Sequence, residues 1–332
     1  QIGHTKAAAG SAGVIKAALS LHHKVLPPTL KIKKPQDVLL AADSPFYVNT
    51  ELRPWIPRAD HPRRAGASAV GFSGSNFHCV LEEYQEEKTV VDWNGEVQIA
   101  AFSATDRAGL AAALRDFPVD ADWLQLRFAA AESREKFDAN QPMRLLLVIE
   151  KDKTNPAAQQ KTALTMLESK ADQKTWNTPD GSYFSAVDAS GNLAMLFPGQ
   201  GAQYIGMLKD LALQFPAALS ELQMADRNFS AATDNQHGRL SDKIYPRPTF
   251  TADAAAANER ELRETENAQP ALGAVSLATK AVLADFGVTA DAYAGHSYGE
   301  LTALCAAGVL SPQDLHRLSR LRGELMAAGE GY

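Results

Sequence analysis

Apolar positions along the chain alternate between short runs suited to strands and longer stretches with helical spacing. Residues 5–23, "TKAAAGSAGVIKAALSLHH", are predicted to be a helix whose small residues crowd one side, a pattern that calls for close packing against a neighbour. Pro27 and Pro28 break it. "SPFYVNTELRPWI" reads as extended, and "RAGASAVGFSGSNFHCVLEEY" as a glycine-rich turn leading into the strand "FHCVLEE". A charged bridge, "QEEKTVVDWNGE", follows at residues 85–96. Next comes a compact α/β unit. It comprises strand "VQIAAFSA", helix "TDRAGLAAALRDF", a second helical stretch, strand "RLLLVIEKD", helix "PAAQQKTALTMLESK" and the turn-rich "NTPDGSYFSAVDASGN". From Leu193 the strand "LAMLF" runs into the loop "PGQGAQ". "ADAAAANERELRE" and "NAQPALGAVSLATKAVLADFGV" are helical, and "TADAYAG" is strand material.

Length and composition narrow the class. A chain of 332 residues, 45% apolar and 22% charged, is a well-cored globular one of two domains or three small ones. Its net charge of -6 comes from 33 basic and 39 acidic residues without long runs of either sign, which argues against nucleic acid or an anionic membrane surface. Cys79 and Cys305 are too few for a disulfide framework or thiolate metal site. His22 and His23 flank a helix end with no further ligand at useful spacing, so no metal site is expected. No apolar run suffices to cross a bilayer and no signal peptide is evident, so a cytoplasmic setting is expected. Both ends read as cut from something larger.

The sharpest chemical signal is "YAGHSYGEL", in which Gly295-His296-Ser297-Tyr298-Gly299 fits G-x-S-x-G. Such a turn forces a nucleophile into a strained conformation with neighbours too close for side chains. The helical "YGELTALCAAGVL" after it places Ser297 at a helix N-terminus, where N–H groups can hold an oxyanion. The bland alternative is a chance match. The loop "FPGQGAQ" is no phosphate loop, since no Gly-Lys-Ser/Thr follows.

Four motifs in order, "LFPGQGAQYIGM", "ENAQPALGAVSLA", "AGHSYGELTAL" and "RLRGELM", make residues 193–326 resemble the N-terminal part of a malonyl-CoA:acyl-carrier-protein acyltransferase. The resemblance implies that Ser297 is acylated and that His296 is its motif neighbour rather than the base. It also implies that the N–H groups of Gln200 and Tyr298 form the oxyanion hole, and that Gln269 lies near the site. "IGHTKAAAGSAGVIKA" and "SAVGFSGSNFHCVLEEY" in turn resemble the C-terminal part of a β-ketoacyl synthase over residues 1–84. That likeness makes His4 an active-site histidine that stabilises the thioester enolate and Phe72 a gate at the acyl channel; Cys79 does not match the family's nucleophile. Taken as physics alone, His4 would be a lone histidine near a helix start.

The implied fold class is α/β in three parts. These are the C-terminal part of a thiolase-like ketosynthase (1–84), a small α/β linker domain (85–192), and the N-terminal part of an α/β-hydrolase-like acyltransferase (193–332). "GRLSDKIYPRPTFTADAAA" brings the likeness nearest to the first subunit of bacterial polyunsaturated fatty acid synthases. Implied substrates are malonyl-CoA and the phosphopantetheine arm of an acyl carrier protein, with no bound cofactor. Implied partners are carrier-protein domains and the other domains of the same synthase; a complete ketosynthase would allow a homodimer.

His316 is the one histidine after Ser297. On the helix "LSPQDLHRLSRLRGELMAA", capped by Ser311, a helical wheel gathers Leu315, Leu318, Leu321, Leu325 and Met326 into one stripe and turns His316 toward solvent. The base is therefore expected beyond Tyr332. Arg322 falls inside the stripe, at about 340° from Leu315, and Arg317 and Arg320 outside it. A structural ion pair is the bland account of Arg322; the resemblance makes it the residue that holds the extender carboxylate. A serine hydrolase and an inactive scaffold remain as alternatives.

Overall fold

The computed structural model describes residues 2–41, 44–58, 60–72, 74–187, 191–232 and 238–329. The chain divides into two compact units, Gln1–Asp92 together with Asn192–Tyr332, and Trp93–Gly191.

In the first unit, a 3-10 turn (Lys6–Ala8) leads into α1 (Ala9–His23). The short strands β1 (Val25–Leu26) and β2 (Arg53–Pro54) pair antiparallel, with α2 (Asp37–Leu40) between them. β3 (Arg64–Val70) and β4 (Asn76–Glu82) form a hairpin in register from Arg64↔Glu82 to Val70↔Asn76. β3 corrects the expectation of a mere turn: its Ala, Gly and Ser residues carry no apolar alternation, and the strand is specified by its pairing with β4 and by α1. The small-residue face of α1 lies where expected, since a Cβ added at Gly10 would stand 3.0 Å from that of Ala69. Arg63, Glu83 and Lys24 form a buried triad, with Arg63 Nη1 and Lys24 Nζ at 2.6 and 2.8 Å from Glu83 Oε2. Burial would raise the Glu83 carboxyl, but hydrogen bonds from Arg63 and Lys24 outweigh it and hold it below its ordinary range.

The second unit is an antiparallel sheet of β5 (Val97–Ala104), β6 (Met143–Glu150), β7 (Thr175–Asn177) and β8 (Ser182–Ser185), in the order β5-β6-β8-β7. Helices α3 (Arg107–Arg115), α4 (Trp123–Lys136) and α5 (Pro156–Ser169) start at Asp106, Asp122 and Asn155, whose side chains accept from backbone N–H groups in the first turn. Leu110, Leu114, Leu126, Leu145, Leu147 and Ile149 are its core. The turn-rich close of this unit contains strand β8, which the loop residues Pro179, Asp180 and Gly181 obscure in the sequence.

The chain then returns to the first unit through β9 (Ala194–Phe197), α6 (Lys209–Gln214), α7 (Pro216–Ala232), α8 (Leu240–Ile244), α9 (Ala252–Arg263), α10 (Thr265–Asp285), β10 (Ala292–Gly295), α11 (Gly299–Ala306) and α12 (Pro312–Ala328). β9 and β10 are parallel and in register, Ala194 opposite Ala292 through Phe197 opposite Gly295. α10, buried through most of its length, packs on α7 and α12.

α12 overturns the helical-wheel expectation. Its buried face is Leu315, His316, Ser319, Arg320 and Gly323, while Leu321, Leu325 and Met326 are 48%, 65% and 46% exposed. Closeness of packing selects this face. A Cβ at Gly323 would stand 2.5 Å from Glu266 Cα, so only a residue without a side chain lets α12 approach the start of α10 there. Arg320 is tolerated inside because Glu324 accepts from its Nε at 2.6 Å and its guanidinium lies 4.9 Å from the centre of the Phe229 ring. His316 points inward with both ring nitrogens unpartnered, and burial pushes its pKa down to about 4. Among the described residues, no helix is long and apolar enough to cross a membrane and no cluster of three potential metal ligands occurs.

Candidate active site

The loops that follow β9 and β10 meet at the carboxyl ends of these parallel strands, where ligands of open α/β sheets bind. His296 N donates to Phe197 O at 3.1 Å, and Ser297 follows at φ +54°, in the left-handed region. For a serine this conformation costs energy that the surroundings must impose. They do so through two glycines. A Cβ at Gly295 would lie 2.0 Å from Gly299 C, and one at Gly299 would lie 2.2 Å from Phe197 O. The turn can therefore be this tight only with glycine at both positions, and Ser297 is left exposed at the start of α11. Ser297 thus immediately precedes the N-cap of α11, at the positive end of the helix dipole.

The Pro198–Gln200 loop lies against this turn, since a Cβ at Gly199 would be 3.3 Å from that of Ser297. Gln200 is anchored by its side chain: Nε2 donates to Thr265 Oγ1 at 3.0 Å, and Oε1 is 3.5 Å from Gln269 Nε2. Gln269 is fully buried, and its Oε1 accepts from Arg322 Nη1 at 2.8 Å. A chain of side-chain contacts thus runs from the loop beside the serine, through α10, to the arginine of α12. Among the described residues no carboxylate pairs with Arg322, so its positive charge faces a neutral amide only.

Tyr298 is buried and turned away from the serine hydroxyl. Its own hydroxyl lies 2.6 Å from Ser319 Oγ, which donates to Leu315 O. Burial pushes the phenol up to about 12, so it stays neutral. This contact ties the serine turn to α12, and sequence reading missed it because Ser319 resembles any polar helix residue.

The structure thus sets Ser297 and Tyr298 in one turn with the Gln200 loop against it, and links Gln200 through Gln269 to Arg322. The His296 ring is exposed and forms no hydrogen bond with Ser297 Oγ among the described residues. His4 and Phe72 are exposed, on the segment before α1 and in the β3–β4 loop, and among the described residues no hydrogen bond joins them to this site. His316 is buried rather than solvent-facing and is not hydrogen-bonded to Ser297.

Comparison with known proteins identifies two domain types within the chain. Residues 194–331 match the acyl transferase domain model, and residues 1–33 match the C-terminal domain of β-ketoacyl synthases. The chain as a whole is similar to multidomain synthases. It is 31% identical to a polyunsaturated fatty acid synthase subunit of Thraustochytrium sp., over 98% of this chain and 12% of that protein. It is 33% identical to the polyketide synthase GfsA of Streptomyces halstedii, over 99% of this chain and 4% of that protein. The chain therefore spans a small part of these relatives. Among solved structures, the acyl transferase domain of ZmaA superposes with a TM-score of 0.56 at 21% identity, over 70% of this chain and 49% of that one, which supports the fold.

Proposed function

We propose that the acyltransferase segment, residues 193–332, loads malonyl groups from malonyl-CoA onto an acyl carrier protein. Ser297 Oγ attacks the thioester carbonyl, the Gln200 and Tyr298 N–H groups hold the tetrahedral oxyanion, and the coenzyme thiolate leaves. The phosphopantetheine thiol of the carrier protein then attacks the malonyl-serine ester and regenerates the hydroxyl. Among the described residues no side chain is hydrogen-bonded to Ser297 Oγ, and this reading assigns the base to a residue beyond them. Residues 1–84 belong in this reading to the condensing ketosynthase, with His4 stabilising the enolate and Phe72 gating the acyl channel. Residues 85–192 are the linker between the two activities. The whole works in the cytoplasm with the synthase's other domains, as a dimer through the complete ketosynthase.

One observation carries the choice of malonyl: Arg322 is held by the Gln269 amide, with no carboxylate among the described residues to neutralise it. A guanidinium fork suits the free carboxylate of a malonyl group, and such a charge-assisted contact contributes about 2–3 kcal/mol. In the full-length protein, radiolabelled malonyl-CoA should leave a covalent acyl group that Ser297→Ala cannot form. Arg322→Ala should lower malonyl transfer roughly 30- to 150-fold while acetyl transfer persists. Undiminished label in Ser297→Ala would remove the nucleophile. Equal loss of malonyl and acetyl transfer would remove the carboxylate assignment. Release of the label to water with a carrier thiol present would favour a hydrolase.

A further inference from the structure

Arg53, Arg58, Arg63, Arg64, Arg239 and Arg247 line one cavity of about 320 Å³, whose walls include no residue of the Ser297 site. Asp242 is the one carboxylate on the wall among the described residues. Three of the six guanidinium groups are neutralised by close partners. Arg63 Nη1 is 2.6 Å from Glu83, Arg64 Nε is 2.8 Å from Glu82, and Arg239 grips Asp242 with Nε at 3.0 Å and Nη2 at 2.8 Å. Arg53 stands 3.8 Å from the same Asp242, whose two oxygens Arg239 already occupies. Arg58 and Arg247 have no ion pair among the described residues. Arg53 and Arg247 both lie over the ring of Tyr47, at 5.8 and 4.7 Å from its centre. Among the described residues, Arg58 and Arg247 are therefore without a carboxylate partner, and Arg53 shares one that Arg239 already grips.

Two of its arginines are also short of acceptors. Arg53 is 6% exposed and Arg63 1%, yet Arg53 Nε and Arg63 Nη2 are buried without a hydrogen-bond partner. A buried donor left unpaired is costly and uncommon in native proteins. Two such donors on arginines of one cavity, beside arginines with no carboxylate partner among the described residues, call for an anionic acceptor. Guanidinium forks match tetrahedral oxyanions bidentately, and the volume falls within the range of about 300–1,000 Å³ typical of small-ligand pockets.

We propose that this cavity binds a ligand through a phosphomonoester or diphosphate group held by Arg53, Arg58, Arg63 and Arg247. The site is independent of the reaction proposed for Ser297. The same chemistry can come from the phosphates of a coenzyme thioester or from a free inorganic anion.

Isothermal titration of the protein with inorganic pyrophosphate should show saturable one-to-one binding, weakened at least tenfold by Arg247→Glu and by Arg58→Glu. Both side chains are exposed, so circular dichroism and the thermal midpoint without ligand should match wild type. Titration with desulfo-coenzyme A identifies the source. Competition with pyrophosphate that Arg247→Glu abolishes means a coenzyme; binding of pyrophosphate without such competition means a free anion. Absence of pyrophosphate binding, or equal binding by both folded variants, overturns the proposal. So does binding of a polyglutamate peptide in place of pyrophosphate, which would make the cavity a docking site for an acidic protein.

Discussion

Two buried groups in the first unit should give its stability opposite responses to acid. His316 titrates at about 4 instead of 6.5 because burial disfavours its cation. Asp226 on α7 titrates at about 6 instead of 3.8. Burial dominates there too, opposed by hydrogen bonds from Ser241 N and Oγ at 2.7 and 2.5 Å and by the nearby charge of Arg239, and reinforced by that of Asp242. For His316 the unfolded chain binds more protons between pH 4 and 6.5, so its contribution is complete above 6.5 and is lost as pH falls toward 4. The difference amounts to about 3 kcal/mol. For Asp226 the folded chain binds more protons between pH 3.8 and 6, so acid stabilises through this group, again by about 3 kcal/mol. Between pH 4 and 6 the two slopes, each about 1.4 kcal/mol per pH unit, nearly cancel. Hydrogen exchange of the α10 amides, which reads the first unit alone, should show this in difference profiles against wild type. Asp226→Asn should lose stability relative to wild type as pH falls, and His316→Leu should gain it. At pH 7 His316→Leu should not be destabilising through hydrogen bonding, because neither ring nitrogen has a partner to lose. Profiles parallel to wild type in both variants would refute the burial argument.

Gly299→Ala drives a Cβ to 2.2 Å from Phe197 O and should cost about 1–3 kcal/mol and abolish acylation of Ser297; a wild-type melting point with normal label would contradict the tight turn. Tyr298→Phe removes the contact with Ser319 Oγ, so thermal unfolding should show a loss of about 1 kcal/mol. It should also slow malonyl transfer more than acetyl transfer, because α12 carries Arg322. Gln269→Glu sets a carboxylate where an amide now meets Arg322 at 2.8 Å, so the KM for malonyl-CoA should rise while acetyl transfer is unchanged; an unchanged malonyl KM would count against Arg322 as the carboxylate holder.

The serine turn was legible because its geometry is set within five residues: Gly295 and Gly299 are required by backbone a few ångströms away, and the flanking strand and helix show their periods locally. The same holds for β5, β6 and the helices of the second unit, whose apolar periods and Asp or Asn caps lie within single segments. α12 was misread for the opposite reason. A helical wheel ranks faces by hydrophobicity, and on that scale Leu321 and Leu325 should be inside and His316 and Arg320 outside. The face that packs is the one that can come closest to α10, through Ser319 and Gly323, and it carries His316 and Arg320 in with it. β3 was hidden by the same preference for bulk over fit. The arginine cavity had no signature at all, because its walls come from residues such as Arg53 and Tyr245, 192 positions apart, and each arginine alone reads as surface. Arg322 stands between these cases. Its wheel position inside the leucine stripe was a wrong description of the helix, yet the residue is half-buried and bound to Gln269, because it borders the tightly packed face on the side of α10. A charge carried by such a border is held in place with no carboxylate among the described residues to neutralise it, and that makes it available to a ligand.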